Sequence, residues 1–433
     1  MLEKIFAMRA RGTSTRTEVE AGLTTFLTMA YIVFVNPLVL SNIPALKDQI
    51  PALVAATCLA AAIPCLLMGF WTNTPFALAP GMGLNGVLAF GIVVAHGASW
   101  QTGMGVVVAE GVIISVLVLT RTREAVMNAI PVSLKRAISV GIGLFITLLG
   151  MVNAGMVKMS GNASAPLTFG SFREETVLVA TAGLVITMVL FLWRWKSALL
   201  VGILATTAIS LAVGVSPMPE RLVQMPDFSL FGQADVPSAL TLTMLPFVLA
   251  FLMSDFFDTM GTVIGVGQQA GMVSPEGKMP RMRDVLLVDS FAAIWGGLCG
   301  ASSSTTYVES ASGVAEGGRT GLTAVVVGIL FLFALFFSPI VGVVPPQATA
   351  PALIIVGFLM LSHVRDIPFD DVAEALPAFL TLITIPLTYS ISRGIGMGFL
   401  SYLVLLIAQR RFREINPFLL VVSALFILAF ALE

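Results

Sequence analysis

The chain has 433 residues, of which 57% are hydrophobic and only 11% are charged, whereas about a quarter of the residues in a soluble domain are charged. Its net charge of −1 leaves no basic surface for nucleic acid. We therefore expect an integral membrane protein surrounded by the lipid bilayer, and we exclude an ordinary soluble enzyme and a nucleic-acid-binding protein.

Apolar runs follow one another along the whole chain, most of them close to the roughly 20 residues that cross a ~30 Å hydrocarbon core. The predicted spans of the first half are 20–41, 52–70, 77–96, 100–120, 136–155, 176–193 and 197–215. Those of the second half are 240–264, 284–299, 301–316, 320–343, 348–363, 377–390 and 395–409. Two amphipathic stretches, 124–134 and 365–376, lie between spans. The pattern predicts an all-α polytopic membrane protein with 14 transmembrane segments.

These spans divide the chain into two halves of seven. An odd number of spans gives the halves opposite orientations, as in inverted-repeat transporters. The predicted divisions are a cytoplasmic N-terminus (1–19), a first seven-span repeat (20–215), an extracytoplasmic connection (216–239), a second seven-span repeat (240–409), and a basic loop with an apolar C-terminal segment (410–433). The last apolar run, 417–432, either crosses the membrane or lies in its interface.

The basic residues predict the orientation. With the N-terminus in the cytoplasm, 18 of the 23 Lys and Arg residues fall in cytoplasmic loops, as the positive-inside rule requires. The polar segment before the first span has neither the apolar core nor the cleavage site of a signal peptide. We therefore expect a multi-pass protein of the plasma (inner) membrane with a cytoplasmic N-terminus.

Three cysteines, Cys58, Cys65 and Cys299, lie in apolar stretches. Their spacing fits neither a metal site nor a disulfide framework. We expect buried free thiols, no metal and no cofactor.

Two predicted spans are interrupted. The third opens with Phe76–Pro80 and then Gly81-Met82-Gly83-Leu84-Asn85, and the tenth opens with Ser302–Val308 and then Glu309. Each pattern predicts a short extended stretch followed by a half-helix. Paired interrupted segments in the two halves indicate a binding site at the membrane midplane; the alternative is a pair of ordinary interfacial loops.

Several acidic residues lie inside predicted spans, where each costs roughly 3 kcal/mol at the membrane centre. Asp255 and Asp258 are three positions apart, so a helix would place both carboxyls on one face. Two neighbouring carboxyls in a low dielectric cannot both ionise cheaply, and at least one should bind its proton near physiological pH. Proton coupling needs such a group; the alternative is a hydrogen bond to a neighbouring helix backbone.

The half-helices carry the other candidates. Glu309 at a helix start could accept hydrogen bonds from the N–H edge of a heterocycle, or could simply cap the helix. Asn85 offers a donor and an acceptor, either to a substrate or to a neighbouring helix. Glu110 and Asp289 are isolated in the sequence, which favours structural hydrogen bonds for both. Glu316 precedes Arg319 closely, which favours a local ion pair.

At these residues the chain resembles the nucleobase:cation symporter-2 superfamily, in its azaguanine-like purine permease branch. The motifs that carry the resemblance are Ala79-Pro80-Gly81-Met82-Gly83-Leu84-Asn85, Phe257-Asp258-Thr259-Met260-Gly261-Thr262, the run from Thr305 through Glu309 to Leu322, and Pro345–Leu353. The resemblance runs nearly from end to end. One departure is Gly86, where the branch usually has a bulkier residue.

The resemblance implies two inverted repeats of seven spans, with a core subdomain moving against a gate subdomain, and often a homodimer. It implies that substrate lies between the two half-helices and the eighth span. The implied substrate-binding residues are Glu309, Asp255, Asn85, Thr306 and Gly83, and the implied proton-coupling or supporting residues are Asp258, Asp255 and Glu309.

The sequence thus predicts a secondary transporter that imports a purine nucleobase, adenine or guanine/hypoxanthine, by proton symport. A related uracil or xanthine permease is the nearest alternative. An anion carrier is disfavoured because the predicted site is rich in carboxylates. An intramembrane enzyme is the alternative from another class, but Asp255 and Asp258 lie in one short segment rather than on two facing ones.

Overall fold

A computed structural model describes residues 2–120, 131–160, 166–218, 221–273, 279 and 281–432. Most of the predicted amphipathic stretch 124–134 lies outside these residues. Within them the chain is almost entirely helical, with two very short two-stranded sheets.

The first half contains nine helices and three strands among the described residues. They are α1 Leu2–Phe6, α2 Thr15–Met29, α3 Ile32–Leu40, α4 Ile50–Leu67, β1 Leu78–Pro80, α5 Met82–Gly86, α6 Trp100–Leu119, α7 Val132–Asn153, β2 Val157–Met159, β3 Leu167–Phe169, α8 Glu175–Leu192 and α9 Ala198–Val213. π-helical turns continue α4 over Met68–Thr72 and α5 over Val87–Ala95.

The second half begins with a short helix and ends with the apolar C-terminal one. Its elements are α10 Val236–Ala239, α11 Leu245–Gln269, α12 Met282–Cys299, β4 Ser304–Thr306, α13 Ser310–Ala315, α14 Gly321–Ala334, α15 Ser338–Val343, α16 Pro346–Leu361, α17 Val372–Thr388, α18 Ile391–Ala408 and α19 Pro417–Leu432.

Nine helical stretches among the described residues are long and apolar enough to cross a membrane, and four shorter apolar helices accompany them. The prediction of a helical, multi-pass membrane protein is therefore confirmed. The predicted boundary at 376/377 is wrong, because α17 runs unbroken from Val372. The Asp371 side chain accepts a hydrogen bond from the Ala373 N–H and caps that helix, so the end of the predicted amphipathic stretch forms the start of α17.

The two interrupted segments meet in the middle of the fold. β1 and β4 pair antiparallel, with Leu78 opposite Thr306 and Pro80 opposite Ser304. Beyond the strands, the Gly81 N–H donates to the Ser303 carbonyl at 2.8 Å. Backbone N–H and C=O groups at membrane depth need hydrogen-bond partners within the protein. Here each broken segment supplies partners for the backbone of the other. Because the pairing is antiparallel, α5 and α13 begin at opposite ends of this short ladder.

Small residues let several helices approach closely. A Cβ on Gly357 of α16 would lie 2.4 Å from the Gly143 carbonyl oxygen of α7, and one on Gly183 of α8 would lie 2.3 Å from Thr206 Oγ1 of α9. Lipid gives no hydrophobic drive to helix association, so such close van der Waals contacts hold the bundle together.

The first turn of α2 is tied to the start of α14. Glu18 is fully buried, and its carboxylate accepts hydrogen bonds from the backbone N–H groups of Arg319, Thr320 and Thr323 and from the Thr323 hydroxyl. The free N–H groups at a helix start favour a carboxylate there. Burial lowers the pKa of the nearby Arg11 guanidinium, and the Glu18 carboxylate acts in the opposite direction.

Candidate functional site

Glu309 lies at the junction of the two broken segments. It follows β4 by three positions and immediately precedes α13. Its Oε1 accepts a hydrogen bond of 2.8 Å from the Tyr31 hydroxyl, and Tyr31 stands where α2 gives way to α3. The Glu309 side chain is half-buried. This carboxyl is consequently held in place on one side and accessible on the other.

Asp258 belongs to an accessible face of α11. Asp258, Gly261 and Gly265 recur at helical spacing, and all three are exposed. A Cβ on either glycine would meet nothing within 4 Å. The Glu309 carboxyl acts electrostatically on Asp258, so the two acidic groups lie near each other.

Asp255, one turn earlier on α11, faces the interior instead. It is fully buried, as is Glu110 on α6, and the two carboxyls lie within hydrogen-bonding distance of each other. Asp289 on α12 lies beside them and is 3% exposed. Three buried carboxyl groups from three helices therefore form one cluster.

Thr306 connects this cluster with β4. Its backbone N–H and its hydroxyl both donate to Asp289 Oδ1, at 3.0 and 2.8 Å. The Thr306 side chain is 1% exposed. In this structure it anchors the strand to α12.

Asn85 and Gly83 lie on α5, across the β1–β4 junction. Asn85 is fully buried, and neither its Oδ1 nor its Nδ2 has a hydrogen-bond partner among the described residues. Such unpaired buried amides are rare, since they forfeit the hydrogen bonds that water would make. Gly83 faces α7, where an added Cβ would lie 2.6 Å from Ile142 Cγ2.

Comparison with known proteins identifies the scaffold. The model of the Permease family Xan_ur_permease matches residues 16–397. This chain belongs to that permease family. The predicted nucleobase:cation symporter-2 membership is thereby confirmed, and the alternative of an intramembrane enzyme is wrong.

Relatives resemble this permease over nearly its whole length. It is 44% identical to adenine permease AdeQ of Escherichia coli over 428 residues, covering 99% of this chain and 95% of AdeQ. It is 42% identical to guanine/hypoxanthine permease PbuG of Bacillus subtilis over 439 residues, covering 99% of both. Its fold is similar to the transmembrane domain of the cyanobacterial bicarbonate transporter BicA, with a TM-score of 0.63 at 14% identity, over 87% of this chain and 96% of that one.

Two sequence expectations about the acidic residues of this permease need correction. Asp255 and Asp258 do not share one environment, because residues three apart on a helix differ by about 60° in direction. That angle separates the buried side of α11 from its accessible side. Glu110 and Asp289 are far in sequence from Asp255, yet the packing of α6, α11 and α12 brings both to it.

Sequence reasoning missed Tyr31 and Thr259 of the permease. Tyr31 is one of only four tyrosines and sits inside the first apolar run, where a phenol needs a partner. Thr259 stands between Asp255 and Asp289 and contacts both. The position of Thr259 in the motif Phe257–Thr262 could have drawn attention to it. Its contact with Asp289 could not be predicted from the spacing of residues in the sequence.

Proposed function

We propose that this permease imports purine nucleobases, adenine or guanine and hypoxanthine, by proton symport with alternating access. The carrying observation is the Glu309 carboxyl, fixed by Tyr31 at the meeting point of the two broken segments and accessible on its other side. Membrane carboxyls at such positions mark substrate or proton pathways.

The chemistry of Glu309 suits a nucleobase better than an anion. A carboxylate accepts hydrogen bonds from neighbouring N–H groups of a heterocycle, whereas it repels a bicarbonate-like substrate. The unpartnered Asn85 amide, on the facing half-helix, offers one donor and one acceptor. Purines present both kinds of group along their edges, and adenine and hypoxanthine exchange a donor for an acceptor at position 6.

The accessible face of α11 supports the entry path. Asp258 facing lipid would cost roughly 3 kcal/mol, so its exposure favours a water-filled crevice that includes Gly261 and Gly265. In the proposed arrangement, 14 spans form two inverted repeats (20–215 and 240–409). The first four spans of each repeat form a core that moves against a gate made of the others, and the N-terminus lies in the cytoplasm.

Uptake measurements in a host lacking purine transport test the substrate. We expect labelled adenine, or guanine and hypoxanthine, to accumulate, and a protonophore to abolish the accumulation. Unlabelled uracil, xanthine and bicarbonate serve as competitors. Membrane-inserted protein that takes up none of the purines, or that is inhibited by uracil or xanthine instead, would overturn the assignment.

Glu309→Gln tests the site itself, because it keeps the shape and removes the charge. We expect loss of uptake at normal expression. Glu20→Gln is the matched control, since Glu20 is exposed and pairs only with Arg16 in the described structure. Uptake by Glu309→Gln equal to that of Glu20→Gln would remove Glu309 from the binding site.

A further inference from the structure

Glu110 and Asp255 lack the hydrogen-bond donors that buried carboxylates need. Both residues are 0% exposed. Glu110 Oε1 and Asp255 Oδ2 have no donor among the described residues. Their other oxygens receive only long contacts, 3.4 Å from the Ser303 hydroxyl and 3.5 Å from the Thr259 hydroxyl. A buried ionised carboxylate without good donors is strongly unfavourable.

Asp289 contrasts with this pair. It accepts three short hydrogen bonds, from the Thr306 N–H at 3.0 Å and from the Thr306 and Thr259 hydroxyls at 2.8 Å each. Hydrogen bonds to the charged form stabilise a carboxylate. Within the cluster the negative charge therefore belongs on Asp289. A proton held between Glu110 and Asp255 would satisfy their unpaired oxygens.

The charged groups that act most strongly on the pair are acidic and cannot replace that proton. Asp289 and Asp258 are the further ionisable groups that act on it, and both are acidic. The other elements packed against α6 are α10 and the Val87–Ala95 turns, and neither contains an ionisable residue. Arg283 donates to the Leu119 carbonyl, about 13 Å along α6 from Glu110. The basic residues on the other helices that contact α11 are Lys135 and Arg136 on α7 and Arg393 on α18, and none of them is among the groups that act most strongly on the pair.

Thr259 links the protonation state of the Glu110–Asp255 pair to β4 through its hydrogen bonds. A hydroxyl has one hydrogen to donate, and here the short contact of 2.8 Å commits it to Asp289. If the pair loses its proton, the ionised Asp255 Oδ1, 3.5 Å away, competes for that hydrogen. Asp289 would then lose one of its donors while it holds Thr306, three positions before Glu309. The substrate junction would thus respond to the proton.

We propose that Glu110 and Asp255 form the proton-binding site of this permease. This site lies on the buried side of α11 and is distinct from the substrate site at Glu309. This inference rests on the proposed function, since it identifies where the symported proton binds. Thr259 and Asp289 are positioning residues in it, because they connect the pair to β4.

Reconstituted full-length protein in proteoliposomes provides the test. Glu110→Gln keeps a hydrogen bond to Asp255 but cannot release a proton. We expect it to abolish accumulation of labelled purine under an inward proton gradient, together with substrate-dependent acidification of the lumen. Exchange of labelled for unlabelled purine, which needs no net proton movement, should fall by less than about tenfold. Glu20→Gln serves again as the control and should behave as wild type.

An independent readout is the infrared C=O stretching band of a protonated carboxylic acid. We expect one such band in the wild type at neutral pH and its loss in Glu110→Gln, whether or not the variant transports. Proton-driven accumulation by Glu110→Gln at the wild-type level, or an unchanged band, would overturn the inference. A wild type that exchanges purine but never accumulates it against a proton gradient would instead overturn the proposed symport.

Discussion

The Tyr31 hydroxyl donates to Glu309 Oε1 at 2.8 Å, joining residues 278 positions apart. The contact connects the break between α2 and α3 with the broken segment of the second half. It fixes one oxygen of the proposed substrate-binding carboxylate, in a side chain that is only half-buried.

Removing the Tyr31 hydroxyl should weaken transport without unfolding the protein. A hydrogen bond to a charged group contributes about 1.5–3 kcal/mol, so we expect Tyr31→Phe to lower the efficiency of purine uptake at least about tenfold. Initial-rate kinetics measure this, with Tyr402→Phe on α18 as the matched loss of a hydroxyl elsewhere. Equal kinetics for the two variants would contradict a role of Tyr31 at the site.

The absence of a side chain at Gly83 allows α5 and α7 to touch. In Gly83→Ala the new Cβ would lie 2.6 Å from Ile142 Cγ2, and such overpacking costs about 1–3 kcal/mol. We expect reduced uptake, partly restored in the double variant Gly83→Ala/Ile142→Ala. Gly342→Ala, where nothing lies within 4 Å, should be neutral. Failure of the second substitution to restore any uptake would show that Gly83 acts by another route, such as direct substrate contact.

Glu18 should be important for stability rather than for transport chemistry. Glu18→Ala leaves the buried N–H groups at the start of α14 without their acceptor, at a cost above about 2 kcal/mol. We expect a clearly lower apparent melting temperature in detergent. Glu20→Ala, two positions away in an exposed ion pair, should change stability by less than about 1 kcal/mol. Matching melting temperatures for the two variants would refute the capping role.

Lys196, between α8 and α9, forms an ion pair with Glu316, directly after α13. The proposed core and gate meet here, so a short thiol cross-linker between Lys196→Cys and Glu316→Cys should stop uptake by preventing their relative movement. The three native cysteines are buried, which limits reaction to the introduced pair. The control pair Lys158→Cys/Glu174→Cys replaces an ion pair within one half and should keep its activity. Unimpaired uptake by the cross-linked Lys196–Glu316 pair would argue against that movement.

Much of the fold could be predicted because it depends on local composition. Apolar runs such as 100–120 and 176–193 correspond closely to α6 and α8, since crossing a bilayer is a property of about 20 consecutive residues. The two interrupted segments could also be predicted. Gly and Pro residues indicate the one in the first half, and a run of Ser and Thr indicates the one in the second half. The motif through Glu309 was sufficient to identify the family.

The candidate site was only partly predictable. Glu309, Asp258 and Asn85 were found from their residue types and positions. Glu309 and Asn85 remain proposed binding groups, and Asp258 remains a proposed supporting residue. The direction in which each carboxyl points was not predictable from spacing. Asp255 and Asp258 are neighbours on one helix, yet the rotation of α11 buries the first and exposes the second.

By itself the sequence determined that this chain is a helical membrane permease with two broken segments, because hydropathy and motif are read along the chain. Only the tertiary structure decided that β1 pairs with β4, that Tyr31 reaches Glu309, and that Glu110, Asp255 and Asp289 share one buried cluster. Those contacts depend on how separate helices pack and rotate against one another. Residues far apart in sequence meet there for reasons of shape and hydrogen bonding that no local pattern contains.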